Sequence, residues 1–237
     1  MSGGRPGGPK GDAGSGIAAI LFDAGGTLIH VDGERFCAAA GLAWEEASFD
    51  SAETAAVDAV ARSARSNRSS TDAERLPVFL EAILAGLGVP AAERPRAARA
   101  VALEHRRSNL WSRAYPDAPA ALSTLSRRGY RLAVVSNADG RVRSLLERAG
   151  LSPHFELVVD SAEVGFEKPD PRIFLAATGR LGIEPSRCAY VGDIYEIDFV
   201  GARAAGLDAL LIGPGAAPEG APRVARLADL PGLFPGA

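Results

Sequence analysis

Reactive side chains follow short apolar segments at four places in the sequence. They are Asp23, Ser136 with Asn137, Lys168, and the acidic pair Asp193 and Asp198. A carboxylate can attack phosphorus and form an aspartyl-phosphate, which divides one difficult step into two. Carboxylates that face one another need a cation, and Mg²⁺ binds a few carboxylate oxygens while keeping waters and a phosphate oxygen. Lysine adds a compact positive charge for the phosphoryl oxygens, so these residue types indicate Mg²⁺-assisted phosphoryl chemistry.

The turn after Asp23 is rich in glycine. Gly25 and Gly26 precede Thr27, and glycine lets backbone N–H groups approach an anion closely. We therefore expect Gly26 and Thr27 to bind the phosphate group of a substrate, together with Asn137.

The segments around these residues resemble the four motifs of the haloacid-dehalogenase-like hydrolase superfamily. The matching segments are Phe22–Leu28, Val135–Asn137, Glu167–Phe174, and Val191–Asp198 with Gly201–Leu207. They occur in the family's order, and the resemblance covers about residues 17–215. It implies that Asp23 is the nucleophile and that Ser136 and Lys168 hold the phosphoryl oxygens. It also implies a Mg²⁺ site formed by Asp23, the main-chain carbonyl of Gly25, Asp193 and Asp198.

One position departs from the family's pattern. Phosphatases and mutases of the family carry a second aspartate two residues after the nucleophile, and this acid protonates the leaving group and later activates water. Gly25 stands there instead. General acid–base help is worth about 10²–10⁴-fold, so the loss is severe for an alkoxide leaving group and smaller for an acyl phosphate or activated aryl ester.

A replacement acid can come from the segment after the first motif. The candidates are His30, Asp32, Glu34 and His105. His30 follows the nucleophile by seven residues and is also expected to contact the substrate near the site entrance, although a hydrogen-bonded histidine near a turn is the commoner interpretation.

Two other activities of the family fit less well. Haloacid dehalogenases also lack the second aspartate, but they work without a metal and lack the Gly-Asp pair that this chain keeps as Gly192-Asp193. Phosphonatases need a lysine in their cap, and residues 30–115 contain none. The favoured function is hydrolysis of a small phosphorylated metabolite. A dehalogenase-type hydrolase and a non-catalytic phosphate-binding module remain as alternatives.

Strands and helices alternate in the second half of the chain. The predicted strands are Arg131–Val135, Glu156–Val159, Ala189–Val191 and Asp208–Ile212, after a first strand at Ile17–Phe22; the predicted helices are Ala118–Arg128, Arg141–Ala149, Pro171–Leu181 and Phe199–Ala205. Such alternation predicts an α/β fold, a Rossmann-like parallel sheet with helices on both faces. We expect residues 17–29 and 116–237 to form this core domain.

The intervening residues 30–115 have a different composition, dominated by alanine, arginine, glutamate and leucine. Helices are predicted at Glu34–Phe49, Ser51–Arg65, Asp72–Leu87 and Arg94–Arg113, with no convincing strand. This segment is expected to be an inserted, all-helical cap domain. The glycine-rich residues 1–16 are expected to form a flexible tail.

Composition limits the partners and the location. The formal net charge of −3 gives no reason to expect nucleic acid or an anionic membrane as a partner. No apolar run approaches the roughly 18–20 residues of a membrane-spanning helix, and the start of the chain has no signal-peptide core. We therefore expect a cytoplasmic protein whose partner is a small phosphorylated molecule.

Overall fold

The computed structural model describes residues 16–67 and 71–236 of the chain. The predicted flexible tail, apart from Gly16, lies outside the described residues. The strands are β1 (Ala19–Phe22), β2 (Ile29–Val31), β3 (Trp111–Ala114), β4 (Arg131–Ser136), β5 (Leu157–Asp160), β6 (Cys188–Gly192), β7 (Asp208–Ile212) and β8 (Arg223–Val224). The helices are α1 (Gly33–Ala40), α2 (Glu46–Ser66), α3 (Asp72–Gly86), α4 (Arg94–Arg107), α5 (Ala118–Arg127), α6 (Val142–Arg148), α7 (Ser161–Val164), α8 (Pro171–Leu181), α9 (Val200–Ala204) and α10 (Leu230–Leu233).

A parallel sheet forms the core, with the strand order β5-β4-β1-β6-β7-β8. Its central strands are short apolar runs that are buried on both faces, as parallel strands covered by helices must be. The register pairs Phe22 with Val134 on one side and with Val191 on the other. The carboxyl ends of β1, β4 and β6 therefore lie side by side, which is where ligands bind in open parallel sheets.

Helices cover both faces of the sheet, so the predicted α/β core is confirmed. Alternate residues of a strand point to opposite faces, and Ile20 and Phe22 pack in one apolar cluster with residues of α5 and α6. Ala19 and Leu21 pack in another with residues of α8 and α9. Because both faces of each strand are packed against helices, the position of the residue that follows the strand is fixed at the sheet edge.

The predicted helix Glu34–Phe49 is wrong in its bounds, because α1 ends at Ala40. Gly41 adopts a left-handed conformation with φ of 75° and closes α1 by donating to the carbonyls of the last turn. The side chain of Glu45 then accepts hydrogen bonds from the N–H groups of Ala47 and Ser48 and starts α2. The first helix thus ends nine residues earlier than predicted, at Ala40 instead of Phe49, and the second begins five residues earlier, at Glu46 instead of Ser51.

The expectation of no strand between residues 30 and 115 is also wrong, because a strand forms near the end of this segment. Helix α4 ends at Arg107, and the side chain of Asn109 accepts a hydrogen bond from the N–H of Trp111. The chain then runs back as β3, which pairs antiparallel with β2. This two-stranded ribbon joins α1–α4 to the sheet, and α1–α4 bury their own apolar cluster around residues such as Ile83 and Leu84. The division into a core and a cap stays a prediction.

No helix in the described ranges combines the length and the apolar character that crossing a membrane requires. The cytoplasmic location stays a prediction.

Both cysteines, Cys37 and Cys188, are buried free thiols.

Leu84 and Leu103 offer a matched test of the apolar cluster in α1–α4. Leu84 is fully buried in α3, whereas Leu103 in α4 is 43% exposed. We expect Leu84→Ala to lower the free energy of unfolding by about 2–5 kcal/mol because it opens a cavity. Leu103→Ala is expected to change it by about 0.5 kcal/mol or less. Urea unfolding followed by circular dichroism measures both, and equal effects would contradict the assigned packing.

Candidate active site

Lys168 is the centre of the site. Its side chain is 2% exposed, and its Nζ lies 2.7 Å from Asp23 Oδ1 and 2.7 Å from Asp198 Oδ1. Nζ also donates to the hydroxyl of Tyr190 at 2.9 Å, and that hydroxyl donates to the carbonyl of Val135 at 3.0 Å. All three protons of the ammonium group therefore have acceptors, as a buried charge requires.

Asn137 holds the backbone that presents Lys168. Its Oδ1 accepts from the N–H of Lys168 at 2.7 Å, and its Nδ2 donates to the carbonyl of Lys168 at 3.0 Å. Asn137 follows β4 directly, so the sheet edge fixes the loop that carries the lysine. The sequence predicted a substrate contact for Asn137, and the structure places its amide on the main chain of Lys168.

Three carboxylates meet beside the lysine. Asp23, Asp193 and Asp198 each offer an oxygen, and these oxygens lie within 4.8 Å of one another. Ile194 N–H donates to Asp198 Oδ2 at 3.0 Å. Asp193 Oδ1 is buried and has no hydrogen-bond partner among the described residues. The residues that the sequence nominated for one sheet edge are thus brought together.

The acidic cluster carries more negative charge than Lys168 can balance. Burial raises the pKa of Asp23 to about 6, even though Lys168 opposes the shift. Burial, together with Asp198 and Asp23, raises the pKa of Asp193 well above its ordinary value. Burial alone would lower the pKa of Lys168, but the neighbouring Asp198 and Asp23 raise it. A hard divalent cation with oxygen ligands would relieve this repulsion and satisfy Asp193 Oδ1, so the donor set fits Mg²⁺.

Gly26 makes room for Asp193. It has φ of +74°, and a Cβ there would lie 2.3 Å from Asp193 Oδ2. Its N–H donates to the carbonyl of Ile29 at 2.8 Å, so Gly26 contributes space to the site and its N–H is already used. The neighbouring Thr27 is buried, and its Oγ1 has no hydrogen-bond partner in the described part of the chain.

Gly25 faces an aromatic side chain from β3. A Cβ on Gly25 would lie 3.1 Å from Cδ1 of Trp111. The indole is held in turn by Phe79, at a centroid distance of 5.2 Å, and by His105 at 5.4 Å. Trp111 thus covers the space into which a side chain at position 25 would project.

A cavity of about 420 Å³ lies between the sheet edge and the helices α2–α4. Eight of the predicted site residues line it: Asp23, Gly25, Gly26, Ser136, Asn137, Lys168, Asp193 and Asp198. Thr27 lines a neighbouring cavity of about 170 Å³. His30 lines neither; its Nδ1 donates to the carbonyl of Val31 at 3.1 Å, and its ring lies 4.9 Å from that of Tyr115.

The other candidate acids are placed as follows. Asp32 caps α1 and pairs with Arg113 at 2.9 Å, and Glu34 is exposed. His105 lines the larger cavity. The sequence analysis included Trp111 in a predicted helix, whereas it lies in β3, and it missed the hydroxyl contact of Tyr190. Tyr190 and Lys168 are 22 residues apart, so only the fold could show that they meet.

The fold and the site define a doubly wound α/β protein that gathers carboxylates and one buried lysine at the carboxyl ends of its parallel strands, where such proteins bind ligands. A family model described as haloacid dehalogenase-like hydrolase matches residues 17–206. The chain belongs to this family of hydrolases.

Phosphatases occur among the relatives. The chain is 43% identical over 144 residues to the phosphoserine phosphatase of Thermus thermophilus, which covers 60% of this chain and 55% of that protein. It is 42% identical over 101 residues to the glyceraldehyde 3-phosphate phosphatase of Methanothermobacter thermautotrophicus, covering 42% and 45%. It is 45% identical over 95 residues to the bovine (Bos taurus) haloacid dehalogenase-like hydrolase domain-containing protein 3, covering 40% and 38%. The matched regions thus span about half or less of these relatives.

Solved structures share the fold across the chain. A haloacid dehalogenase-like hydrolase from Bacillus subtilis bound to magnesium has a TM-score of 0.65 at 20% identity, over 92% of this chain and 98% of that one. The L-2-haloacid dehalogenase from Xanthobacter autotrophicus has a TM-score of 0.57 at 22% identity, over 92% and 98%. Because phosphatase and dehalogenase structures both match at such identities, these matches establish the fold alone.

Magnesium is expected to raise the melting temperature of the protein, and by more at about pH 7.5 than at about pH 5. Asp23, with a pKa of about 6, is largely ionised only at the higher pH, and ionised carboxylates bind the cation. Mg²⁺ at 100 times its Kd contributes about 2.7 kcal/mol, or roughly 5–10 °C for a chain of this size. Without metal, stability should fall as the pH rises from about 4 to about 6, because the folded state keeps a proton that unfolded Asp23 has lost.

Asp193→Asn separates the metal site from a general salt effect. The variant loses one carboxylate of the cluster, so we expect it to melt at a higher temperature than the wild type without metal and to show no Mg²⁺-dependent shift. Differential scanning calorimetry measures both quantities. A full shift in Asp193→Asn, or none in the wild type, would contradict the assigned metal site.

Proposed function

We propose that the chain is a Mg²⁺-dependent phosphatase that acts on a small phosphorylated metabolite through an aspartyl-phosphate on Asp23. One observation carries the proposal. The ammonium of Lys168 lies 2.7 Å from Asp23 Oδ1, beside Asp193, whose buried Oδ1 has no partner among the described residues. A nucleophile held by a lysine next to an unsatisfied carboxylate oxygen is suited to phosphoryl transfer at a metal ion.

Each residue of the site has a task in this reaction. Asp23 attacks the phosphorus atom, and Lys168 orients the attacking carboxylate and neutralises charge that develops on the phosphoryl group. Asp198 fixes Lys168, and the Ser136 hydroxyl donates to a phosphoryl oxygen. Asp23, Asp193 and the carbonyl of Gly25 would hold Mg²⁺ together with Asp198, which the sequence also nominated as a ligand. The bound ion supplies Lewis-acid stabilisation of the phosphoryl oxygens.

Residues 30–115 act in this proposal as a cap that closes over the cavity. Three polar contacts between this segment and the sheet edge support it. Arg65 pairs with Glu196 at 2.5 Å, and the N–H of Asp72 donates to Glu167 at 2.7 Å. The guanidinium of Arg141 donates to the carbonyl of His105. Closure of this kind excludes water and selects the substrate, and a cavity of about 420 Å³ suits a metabolite.

The test is a screen of phosphorylated metabolites and an aryl phosphate, with and without Mg²⁺. We expect phosphate release that needs the metal, and a loss of roughly 10³-fold or more in Asp23→Asn because the nucleophile is gone. Asp208→Asn is the matched control. Asp208 pairs with Arg203 outside the cavity, and such a surface pair is worth about 0–1 kcal/mol.

Other outcomes of the screen would overturn the proposal. Halide release from 2-haloacids without metal, in place of phosphate release, would identify a dehalogenase. Binding of phosphate without turnover of any substrate would identify a non-catalytic phosphate-binding module.

A further inference from the structure

Position 25 does not supply the acid that is missing from the first motif. Glycine has no ionisable side chain, and the indole of Trp111 lies where a side chain at this position would project. A phosphatase that cleaves ordinary monoesters still needs a group to protonate the leaving oxygen and to activate water. That group must line the same cavity as Asp23 without belonging to the acidic cluster.

Several ionisable groups in the cavity wall already form an ion pair or a hydrogen bond, or are exposed to solvent. Asp139 is held by the guanidinium of Arg141 at 2.5 Å, and this ion pair lowers its pKa. Glu167 accepts a hydrogen bond from the N–H of Asp72, whose own side chain is 58% exposed. Nδ1 of His105 accepts from the N–H of Leu110, so the ring is neutral, and a neutral imidazole is a poor acid.

Glu53 is another acid in the cavity wall. It lies on α2 with Val57 and Val60, at the spacing that places residues on one face of a helix, and all three line the 420 Å³ cavity. Glu53 also lines the neighbouring 170 Å³ cavity. The residues common to both cavities are Gly26, Glu53, Val57 and Asp193. Glu53 therefore lines the same two cavities as Gly26 and as Asp193 of the acidic cluster.

The surroundings of Glu53 favour its protonated form near neutral pH. Burial raises the pKa of Glu53 to about 7, with a hydrogen bond from the backbone of Val31 opposing the shift and Asp50 adding to it. Tyr115 also interacts with Glu53 and with Asp193, and its own pKa is raised, mainly by burial. An acid with a pKa near the working pH can both give and take a proton.

We propose that Glu53 is the general acid–base of this enzyme, supplied by α2 in place of the aspartate that Gly25 replaces. The inference rests on the proposed phosphatase function. As Asp23 forms its bond to phosphorus, the bond from phosphorus to the leaving oxygen breaks, and the carboxyl group of Glu53 gives its proton to that oxygen. The resulting carboxylate then takes a proton from water, and the water oxygen attacks the aspartyl-phosphate. Inorganic phosphate leaves, and Asp23 and protonated Glu53 are regenerated.

The experiment compares Glu53→Gln with the wild type on two substrates, an alkyl phosphate and p-nitrophenyl phosphate. The ratio kcat/KM reports transfer to Asp23 and depends on leaving-group protonation. For the alkyl phosphate we expect a loss of about 10²–10⁴-fold, and for the aryl phosphate, whose leaving group is a weak base, a loss of less than about tenfold. In the wild type, alkyl phosphate turnover should decline above about pH 7, where Glu53 loses its proton; the variant should lack this decline.

Two further readouts keep the result interpretable if the variant is inactive. Intact-protein mass spectrometry should show a phosphoryl group accumulating on Glu53→Gln supplied with the aryl phosphate, because no base activates water for the second step. Calorimetry should show the wild-type Mg²⁺ shift, because the metal residues are unchanged. Glu46→Gln is the control. It changes the same charge on the first turn of α2, at a residue outside both cavities.

The outcomes separate this inference from the proposed function. No turnover by the wild type on any phosphorylated compound would overturn both. Wild-type turnover with a Glu53→Gln variant within about threefold on the alkyl phosphate would overturn the role of Glu53 alone. Equal losses in kcat/KM on both substrates, with the Mg²⁺ shift intact, would also overturn it, since protonation of the leaving group would then not be the affected step.

Discussion

The structure depends on the burial of one ammonium group among carboxylates. Lys168 is almost completely removed from water and contacts Asp23 and Asp198 directly. A buried charge is tolerated only when it is paired and hydrogen-bonded, so the loop that carries Lys168 must be held accurately against the ends of β1, β4 and β6. Asn137 provides that accuracy through two hydrogen bonds to the main chain of the lysine. The proposed nucleophile, cation site and phosphate site all depend on this arrangement.

Gly25 determines where the proposed reaction must find its acid. In the family's usual arrangement the acid stands on the core turn, next to the nucleophile. Here that turn carries Gly25, an indole from β3 covers it, and the carboxyl group that we propose as the acid lies on α2. With Glu53 as the acid, proton transfer requires α2 to be seated on the sheet edge. The ion pair between Arg65 at the end of α2 and the buried Glu196 favours that seating. Proton transfer would then take place only when α2 is closed over the cavity. The aspartyl-phosphate would be shielded from water until Glu53 is in position to accept a proton.

Much of the core could be predicted from the sequence, because its signals are local. The helix Pro171–Leu181 and the strand Asp208–Ile212 were predicted with the bounds that the structure shows. Asp23 and Asp193 were identified because each follows a buried strand, and parallel strands bring such residues to one edge.

The rest depended on packing that no local pattern records. Trp111 was predicted to lie in a helix. It begins β3 instead, and its indole covers Gly25. Glu53 was not singled out from the sequence, and its proposed role follows only from the face that α2 turns to the cavity. The N–H of Gly26 was expected to bind phosphate, but the tight turn uses it for Ile29.

A crystal structure of the protein with Mn²⁺ and beryllium fluoride tests the central claim most directly. The account predicts one anomalous peak at about 2 Å from a carboxylate oxygen of Asp23 and one of Asp193. It also predicts beryllium fluoride bonded to the other oxygen of Asp23, with Lys168 within hydrogen-bond distance of a fluorine. A metal bound elsewhere, or a fluoride adduct on any other residue, would contradict it.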